Sequence, residues 1–297
     1  MLRVPLLNIR YVFLILIFCH PAIASANTIE KIKVAVNKNT PQLYSNILRQ
    51  QPTTTIKVTD LKGQRLTPAV IQILIIKQAL HYGGLTIDFE FVVAPNKKRA
   101  AALLTGGKVV ISNFIGFLKS QPEAAHISSP VIESKALLKG IYGLATNTAL
   151  MKVKSIDDLK LLKGVLVSSW LSDIATLKSH GLTQIELTPN YQTLFTRITY
   201  RDTDYTLLDF PYWKNSDNQP LVRHLNENKL YAVPNVAIAI EGSRHFFISK
   251  KHPDGERVYQ ALEKGLKIMK EQGTIKKYYQ QINMFKNGLT HLKVLNE

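Results

Sequence analysis

Residues 87–112 read Ile-Asp-Phe-Glu-Phe-Val-Val-Ala-Pro-Asn-Lys-Lys-Arg-Ala-Ala-Ala-Leu-Leu-Thr-Gly-Gly-Lys-Val-Val-Ile-Ser, and this stretch decides the fold. Ile87, Phe89 and Phe91 alternate with Asp88 and Glu90, the period-two pattern of a strand with one apolar face. Pro95-Asn96 then opens a helix over Lys98 to Leu104, Gly106-Gly107 stops it, and Val109 to Ser112 is the next strand. A strand, a helix and a second strand in one short run predict a parallel crossover unit and an α/β layer.

Working outward, Ile32, Val34 and Val36 alternate with Lys33 and Ala35 as an earlier strand, and Asn37 to Tyr44, with Pro41, reads as the loop leaving it. Thr67-Pro68 starts a helix as cap and first-turn proline, running through Val70, Ile73, Leu74 and Leu80 to Gly83-Gly84. It is apolar nearly all round, which predicts burial. Downstream, Ser155 and Asp158 form a capping box for a helix over Ile156 to Leu162, Val165 to Val167 is a strand, and Ser172 caps a helix closed by His180-Gly181. Ile185 to Leu187 is a strand, Pro189-Asn190 opens a helix ending near Tyr200, and Thr203 to Leu208 is a strand. The run of strand, Pro-Asn, helix and strand thus occurs twice, as two similar α/β lobes would require. Asp254 caps a tail helix whose Val258, Leu262, Leu266 and Met269 share one face, Gly273 ends it, and Thr274 starts a last helix.

The whole chain has 297 residues, 45% apolar and 20% charged, which excludes a disordered or fibrous protein. Its net charge is +17, but the lysines are dispersed or lie on helices, as do Lys264, Lys267, Lys270, Lys276 and Lys277. No basic motif interleaved with aromatics is present, so nucleic acid is not an expected partner. Arg3 and Arg10, the apolar run Tyr11 to Phe18 and Ala24-Ser25-Ala26 form a secretory signal peptide over residues 1–26, which places the mature chain in the periplasm. The apolar run is far below the ~20 residues a membrane-spanning helix needs. Lipidation at Cys19 is the rival reading, but Phe18 is bulky where lipobox signals place a small residue. Cys19 is the only cysteine, so the mature chain has no disulfide, thiol nucleophile or thiolate metal site.

Catalytic signatures are missing: there is no His-Glu-x-x-His, Gly-x-Ser-x-Gly, P-loop or Gly-x-Gly-x-x-Gly. His245 and His252 read as surface or hinge residues. A triad of Ser168 or Ser169 with Asp173 and His180 is set aside, because Asp173 and His180 share one short helix that the serines precede. No catalytic residue, metal or cofactor is assigned.

Several motifs in order resemble the bacterial periplasmic solute-binding proteins of family 3, the amino-acid-binding type. They are Asp60-x-x-Gly63; Leu103-Leu104-x-Gly106-Gly107-Lys108-Val109 leading into Val110 to Ser112; Pro122-Glu123 with Ser129-Pro130; and Ser155-Ile156-Asp157-Asp158-Leu159-Lys160. Asp204-x-x-x-x-Asp209, Phe246 to Pro253, and Leu262 to Met269 with Gly273-Thr274-Ile275 complete the set. The segments Trp170 to Leu182 and Phe247 to Lys251 are similar to a less characterised branch of that family. The resemblance implies two α/β lobes of the type II periplasmic-binding-protein architecture, with a small polar ligand in the cleft between them. Lobe one would comprise residues 27–135 and 245–297, and lobe two residues 136–244, in a monomer that hands its ligand to an inner-membrane ABC permease or a sensor. Asp209 matches the family aspartate that holds a ligand ammonium. Ala124 stands where the family places an arginine for the ligand carboxylate, which counts against an ordinary α-amino acid.

Parallel α/β sheets bind ligands beyond the carboxyl ends of their strands. That rule selects Tyr44, Ser112, Asn113 and Phe114 from the first lobe, and Ser169, Trp170 and Asp209 from the second, as ligand-binding candidates. Ser169 lies near a helix start, whose free N–H groups favour an anion. A periplasmic enzyme on the same scaffold, such as a dehydratase, and an envelope interaction module are the alternative functions.

Overall fold

The computed structural model describes residues 31–50, 61, 66–118, 122, 124–210, 222–225, 227–282 and 291–297. The signal peptide, Cys19, the motif Asp60-x-x-Gly63 and Glu123 lie outside the described residues. The chain opens with β1 (Lys31–Val36), α1 (Thr40–Gln50), α2 (Pro68–Tyr82), β2 (Asp88–Val93), α3 (Lys97–Thr105), β3 (Ile111–Ser112), β4 (Gly116–Phe117) and β5 (Ala125–Ile127). It continues through β6 (Leu137–Gly143), α4 (Thr148–Met151), α5 (Ile156–Lys160), β7 (Gly164–Val167), α6 (Leu171–Ser179), β8 (Ile185–Thr188), α7 (Tyr191–Thr199), β9 (Thr206–Asp209), β10 (Val222–Leu225), β11 (Asn228–Ala232) and β12 (Val236–Ile240). It returns with β13 (Arg244–His245), β14 (Phe247–Ser249), α8 (Gly255–Glu271), α9 (Thr274–Gln280) and β15 (Lys293–Val294).

The first sheet runs β2-β1-β3-β14-β5, with β1 parallel to both β2 and β3, and β14 antiparallel to β3 and β5. The crossover unit expected from residues 87–112 is thus present. Asn96 caps α3 by accepting from the Arg99 N–H at 2.9 Å. Thr67 caps α2 and Pro68 is in its first turn, and every residue from Val70 to Leu80 is buried, as its all-round apolar surface requires. One face of α2 meets the sheet and another meets α8, whose Val258, Leu262, Leu266 and Met269 are buried. The two helices cross closely: a Cβ on Gly265 would stand 1.7 Å from the Ala79 carbonyl oxygen.

The second sheet runs β10-β11-β6-β12-β15, with β9 also paired to β6. The parallel pair β7 and β8 adjoins it through the bridge from Gly164 to Tyr205. Two chain segments join the sheets side by side, Lys135 N–H donating to the Ile240 carbonyl at 3.0 Å and Val131 N–H to that of Arg244 at 2.8 Å.

Four local expectations need correction. Asn37 to Tyr44 is not a loop throughout, because α1 begins at Thr40; Pro41 fits a first helical turn, where no intrahelical N–H is needed. The strand expected over Val109 to Ser112 is ordered as a ladder only at Ile111 and Ser112. Ser172 is not a cap: it lies inside the first turn of α6, whose cap position is Trp170 with no side-chain cap bond. The tail does not stay with lobe one to residue 297. Lys293 and Val294 pair with Val236 and Ala237 of β12, and the Asn296 side chain exchanges hydrogen bonds of 2.9 and 2.8 Å with the Ala239 backbone. Those bonds satisfy an otherwise open edge of the second sheet.

Candidate functional site

In lobe one a cavity of about 720 Å³ opens where β1, β2 and β3 end. Asn37 to Asn39 follow β1, Pro95 follows β2, Asn113 and Phe114 follow β3, and Thr67 to Ala69 bring the start of α2 to the same place. Asn113 is buried, and its amide N–H groups donate to Thr40 Oγ1 at 3.3 Å and the Ala69 carbonyl at 3.2 Å. That fixes the orientation of the amide, and Asn113 Oδ1 has no hydrogen-bond partner among the described residues. A buried acceptor of this kind is costly unless a water or ligand donor meets it. Ser112 is turned inward and its Oγ accepts from the Phe114 N–H at 3.0 Å, so it shapes the turn rather than lining the cavity. Tyr44 is elsewhere: it is 5% exposed in the lobe-one core, its ring 5.4 Å from that of Phe91, because the chain there is the second turn of a helix.

In lobe two the sequence-derived candidates gather around a buried charge. Lys139 interrupts the apolar strand β6 and is buried. Its Nζ lies 2.5 Å from Asp173 Oδ1 and 3.8 Å from Asp209 Oδ1, and 4.9 Å from the centre of the Trp170 ring. Burial pulls the Lys139 ammonium down, but the Asp173 and Asp209 charges more than offset it, so its pKa stands above the ordinary lysine value. Asp209 is the last residue of β9, inside the strand rather than beyond one ending at Leu208, with its side chain partly open at 38% exposure, and its backbone carbonyl accepts from the Arg223 guanidinium. Trp170 is half-buried and packs near Tyr191. Ser169 is exposed, but the helix start beside it is already served by a carboxylate, since Asp173 sits in the first turn of α6.

Arg244 of β13 stands where the lobes join. Its Nη2 donates to Ser172 Oγ at 2.6 Å, its Nη1 donates to the Gly242 carbonyl at 2.8 Å, and its guanidinium covers the Phe117 ring at 5.6 Å. No carboxylate of the described residues lies within ion-pair distance of it; Asp173 and Asp209 act on it from further away, and burial holds its pKa below the ordinary arginine value. Lys97, at the start of α3 in lobe one, feels the charges of Arg244, Lys139, Asp173 and Asp209 at longer range. It keeps contact with solvent, yet protein crowds it, and this desolvation, with Arg244 and Lys139 nearby, lowers its pKa. The triad set aside above does not form: Asp173 serves Lys139, and His180 Nε2 lies 3.2 Å from Glu241. His245 is a buried hinge residue, bonded to Ser243 and to the Ser128 carbonyl.

Of the sequence-derived candidates, Asn113 and Phe114 line the lobe-one cavity, while Trp170 and Asp209 stand around Lys139 in lobe two. The structure adds Lys97, Lys139, Asp173 and Arg244, which sequence reasoning missed. Lys139 carried a visible signal, a lone charge inside the apolar run Leu137 to Gly143. Lys97 and Arg244 carried none, for they look like any surface cation.

No protein-family model matches the chain, and no curated protein matches it. Solved structures do. A probable amino-acid ABC transporter extracellular-binding protein from Bacillus subtilis is 16% identical, aligned over 86% of this chain and 98% of that one, with a TM-score of 0.52. The periplasmic VFT2 domain of Bordetella pertussis BvgS is 12% identical over 84% and 93%, at 0.52. Substrate-binding domain 2 of Lactococcus lactis GlnP, in its open conformation, is 13% identical over 86% and 96%, at 0.50. Identities this low speak for the fold, and with the two sheets and their paired connection they settle it: the chain is a two-lobed α/β protein of the type II periplasmic-binding-protein architecture.

Proposed function

We propose that this chain is a solute-binding protein, exported by its residue 1–26 signal, that holds a small polar molecule between its lobes. The observation that carries the reading is the cavity beyond β1, β2 and β3, lined by Asn113, whose buried Oδ1 has no hydrogen-bond partner among the described residues. Among the described residues no helix is long and apolar enough to cross a membrane; on this reading a membrane partner receives the bound solute. We propose an ABC permease or a membrane sensor as that partner; the similar structure from Bacillus subtilis is described as a probable ABC transporter extracellular-binding protein.

A ligand that touches both lobes favours the closed arrangement by its differential affinity. Calorimetric titration with a panel of small polar metabolites tests the proposal, together with thermal unfolding in the same solutions. A true ligand at a hundredfold excess over its Kd should stabilise the protein by about 2.7 kcal/mol. Turnover of a bound compound, detected by mass spectrometry, would replace this reading with an enzyme. Saturable binding without turnover supports it.

A further inference from the structure

The inference concerns the charge of the solute and rests on the solute-binding reading above. We infer that the site takes a small anion without a cationic group, such as a hydroxy-carboxylate, because Lys139 already occupies the place between Asp173 and Asp209 where a ligand ammonium would sit.

Three observations support it independently of the resemblance. First, the carboxylates of lobe two are served from within the protein. Asp173 is buried with Lys139 at 2.5 Å, and the same ammonium lies 3.8 Å from Asp209, so a second cation arriving there would meet Lys139 as a like charge. Second, Arg244 at the junction and Lys97 on lobe one form no ion pair among the described residues, and the Arg244 guanidinium spends its N–H groups on Ser172 Oγ and the Gly242 carbonyl instead. Burial holds the Arg244 pKa down, and a bound anion beside its guanidinium relieves that cost. Third, the polar group left over on lobe one is an acceptor. Asn113 Oδ1 asks for a neutral donor, and a hydroxyl meets that need without bringing positive charge.

Pairs of acids that differ only in hydroxyl against ammonium test this on the whole exported protein: malate with aspartate, 2-hydroxyglutarate with glutamate, and lactate with alanine. Calorimetric titration should show the hydroxy acid of at least one pair binding about tenfold or more tighter than its amino counterpart, the size of one charge-assisted hydrogen bond. Lys97→Gln, on an exposed side chain, should weaken that hydroxy acid about tenfold with an unchanged unfolding midpoint. Lys139→Met should narrow the ratio by opening Asp209 to the ammonium. Should Lys139→Met fail to fold, Lys97→Gln and the wild-type ratio decide alone. An amino acid that binds as well as its hydroxy partner, or a Lys97→Gln protein of wild-type affinity, overturns the inference while solute binding stands. Tight binding of a dication such as putrescine overturns it in the same way. If none of the six acids binds, the inference falls; if the wider metabolite panel also fails, so does the solute-binding reading.

Discussion

Two lysines are buried among the described residues, one in each lobe, and the protein treats them differently. Lys77 of α2 runs across the Phe89 ring at 5.2 Å and donates to the Ile87 carbonyl, and its Nζ reaches Asp88 at 2.9 Å. Asp88 is half exposed, so this charge is carried along an apolar surface to the edge of the sheet and neutralised at the water. Lys139 of β6 also lies by an aromatic ring, but its nearer partner, Asp173, is as buried as it is. Only Asp209, further off, is open to solvent. The first lysine is a way of covering a core; the second commits two charged groups to the interior. Geometry around a buried charge thus separates a device of the fold from a device of the site.

The difference is open to measurement. Lys139→Met should destabilise the protein by ~3–5 kcal/mol in urea unfolding, because Asp173 is left as an uncompensated buried carboxylate. The double change Lys139→Met with Asp173→Leu should recover most of that loss, since paired removal leaves no charge to desolvate. The sign with pH is fixed by the raised Lys139 pKa: its contribution is complete below the ordinary lysine value of 10.5 and is lost as pH rises through the higher folded value. A Lys139→Met protein as stable as the wild type would erase the contrast between the lobes.

Lys77→Met is the matching experiment in lobe one. Asp88 rehydrates when its partner goes, so the cost should be about 1–2 kcal/mol, chiefly the lost hydrogen bond to the Ile87 carbonyl. Equal costs for the two lysines, by the same unfolding measurement, would show that partner burial is not what distinguishes them.

How far these features could be read from the sequence follows the same division. Local rules placed α2, α3, α5 and α7 well, because Thr67, Asn96, Ser155 and Asn190 each accept from a backbone N–H three residues on, a bond set within one turn. The apolar circumference of α2 announced its two-sided burial. The rule that ligands lie beyond parallel strands led to Asn113 and Phe114, which line the cavity. It failed for Tyr44, since Pro41 suits a first helical turn as well as a loop. It also failed to find Arg244 and Lys97, whose roles arise from the approach of segments about 150 residues apart. The Lys293 strand was illegible for a like reason: its partner, β12, is some 57 residues earlier, and nothing local marks the pairing.

A smaller effect probes the ring above the buried lysine. Trp170→Leu keeps an apolar cover over Lys139 but removes the π-face, and it should cost about 0.5–2 kcal/mol. In the Lys139→Met background the same change should cost less, because the cation it served is gone, and a double-mutant cycle reads the coupling directly. A coupling of zero would mean that the Trp170 ring is packing alone.

The smallest effect concerns a charge network of lobe two that is close in geometry yet open to water, and it sharpens the rule drawn from the lysines. Arg197 holds Glu186 in a two-pronged grip, Nε to Oε1 at 2.6 Å and Nη2 to Oε2 at 2.9 Å, with Lys163 3.1 Å from Oε2. By distance alone it rivals the Lys139 pair. By exposure it belongs with Lys77, since the Glu186 side chain is 24% exposed and that of Arg197 36%. Glu186→Gln should therefore cost only about 0.2–1 kcal/mol at neutral pH, the range of exposed ion pairs, and less at high salt. The Arg197 hydrogen bonds, with Lys163 behind them, hold the Glu186 carboxyl below its ordinary value of 4.5. Its contribution is therefore present above that value and is lost as pH falls through the folded one. The gap between wild type and Glu186→Gln should stay constant around neutrality and close in acid, as read from unfolding midpoints across a pH series. A neutral-pH cost matching that of Lys139→Met would mean that contact geometry, and not access to water, sets what a charge pair in this protein is worth.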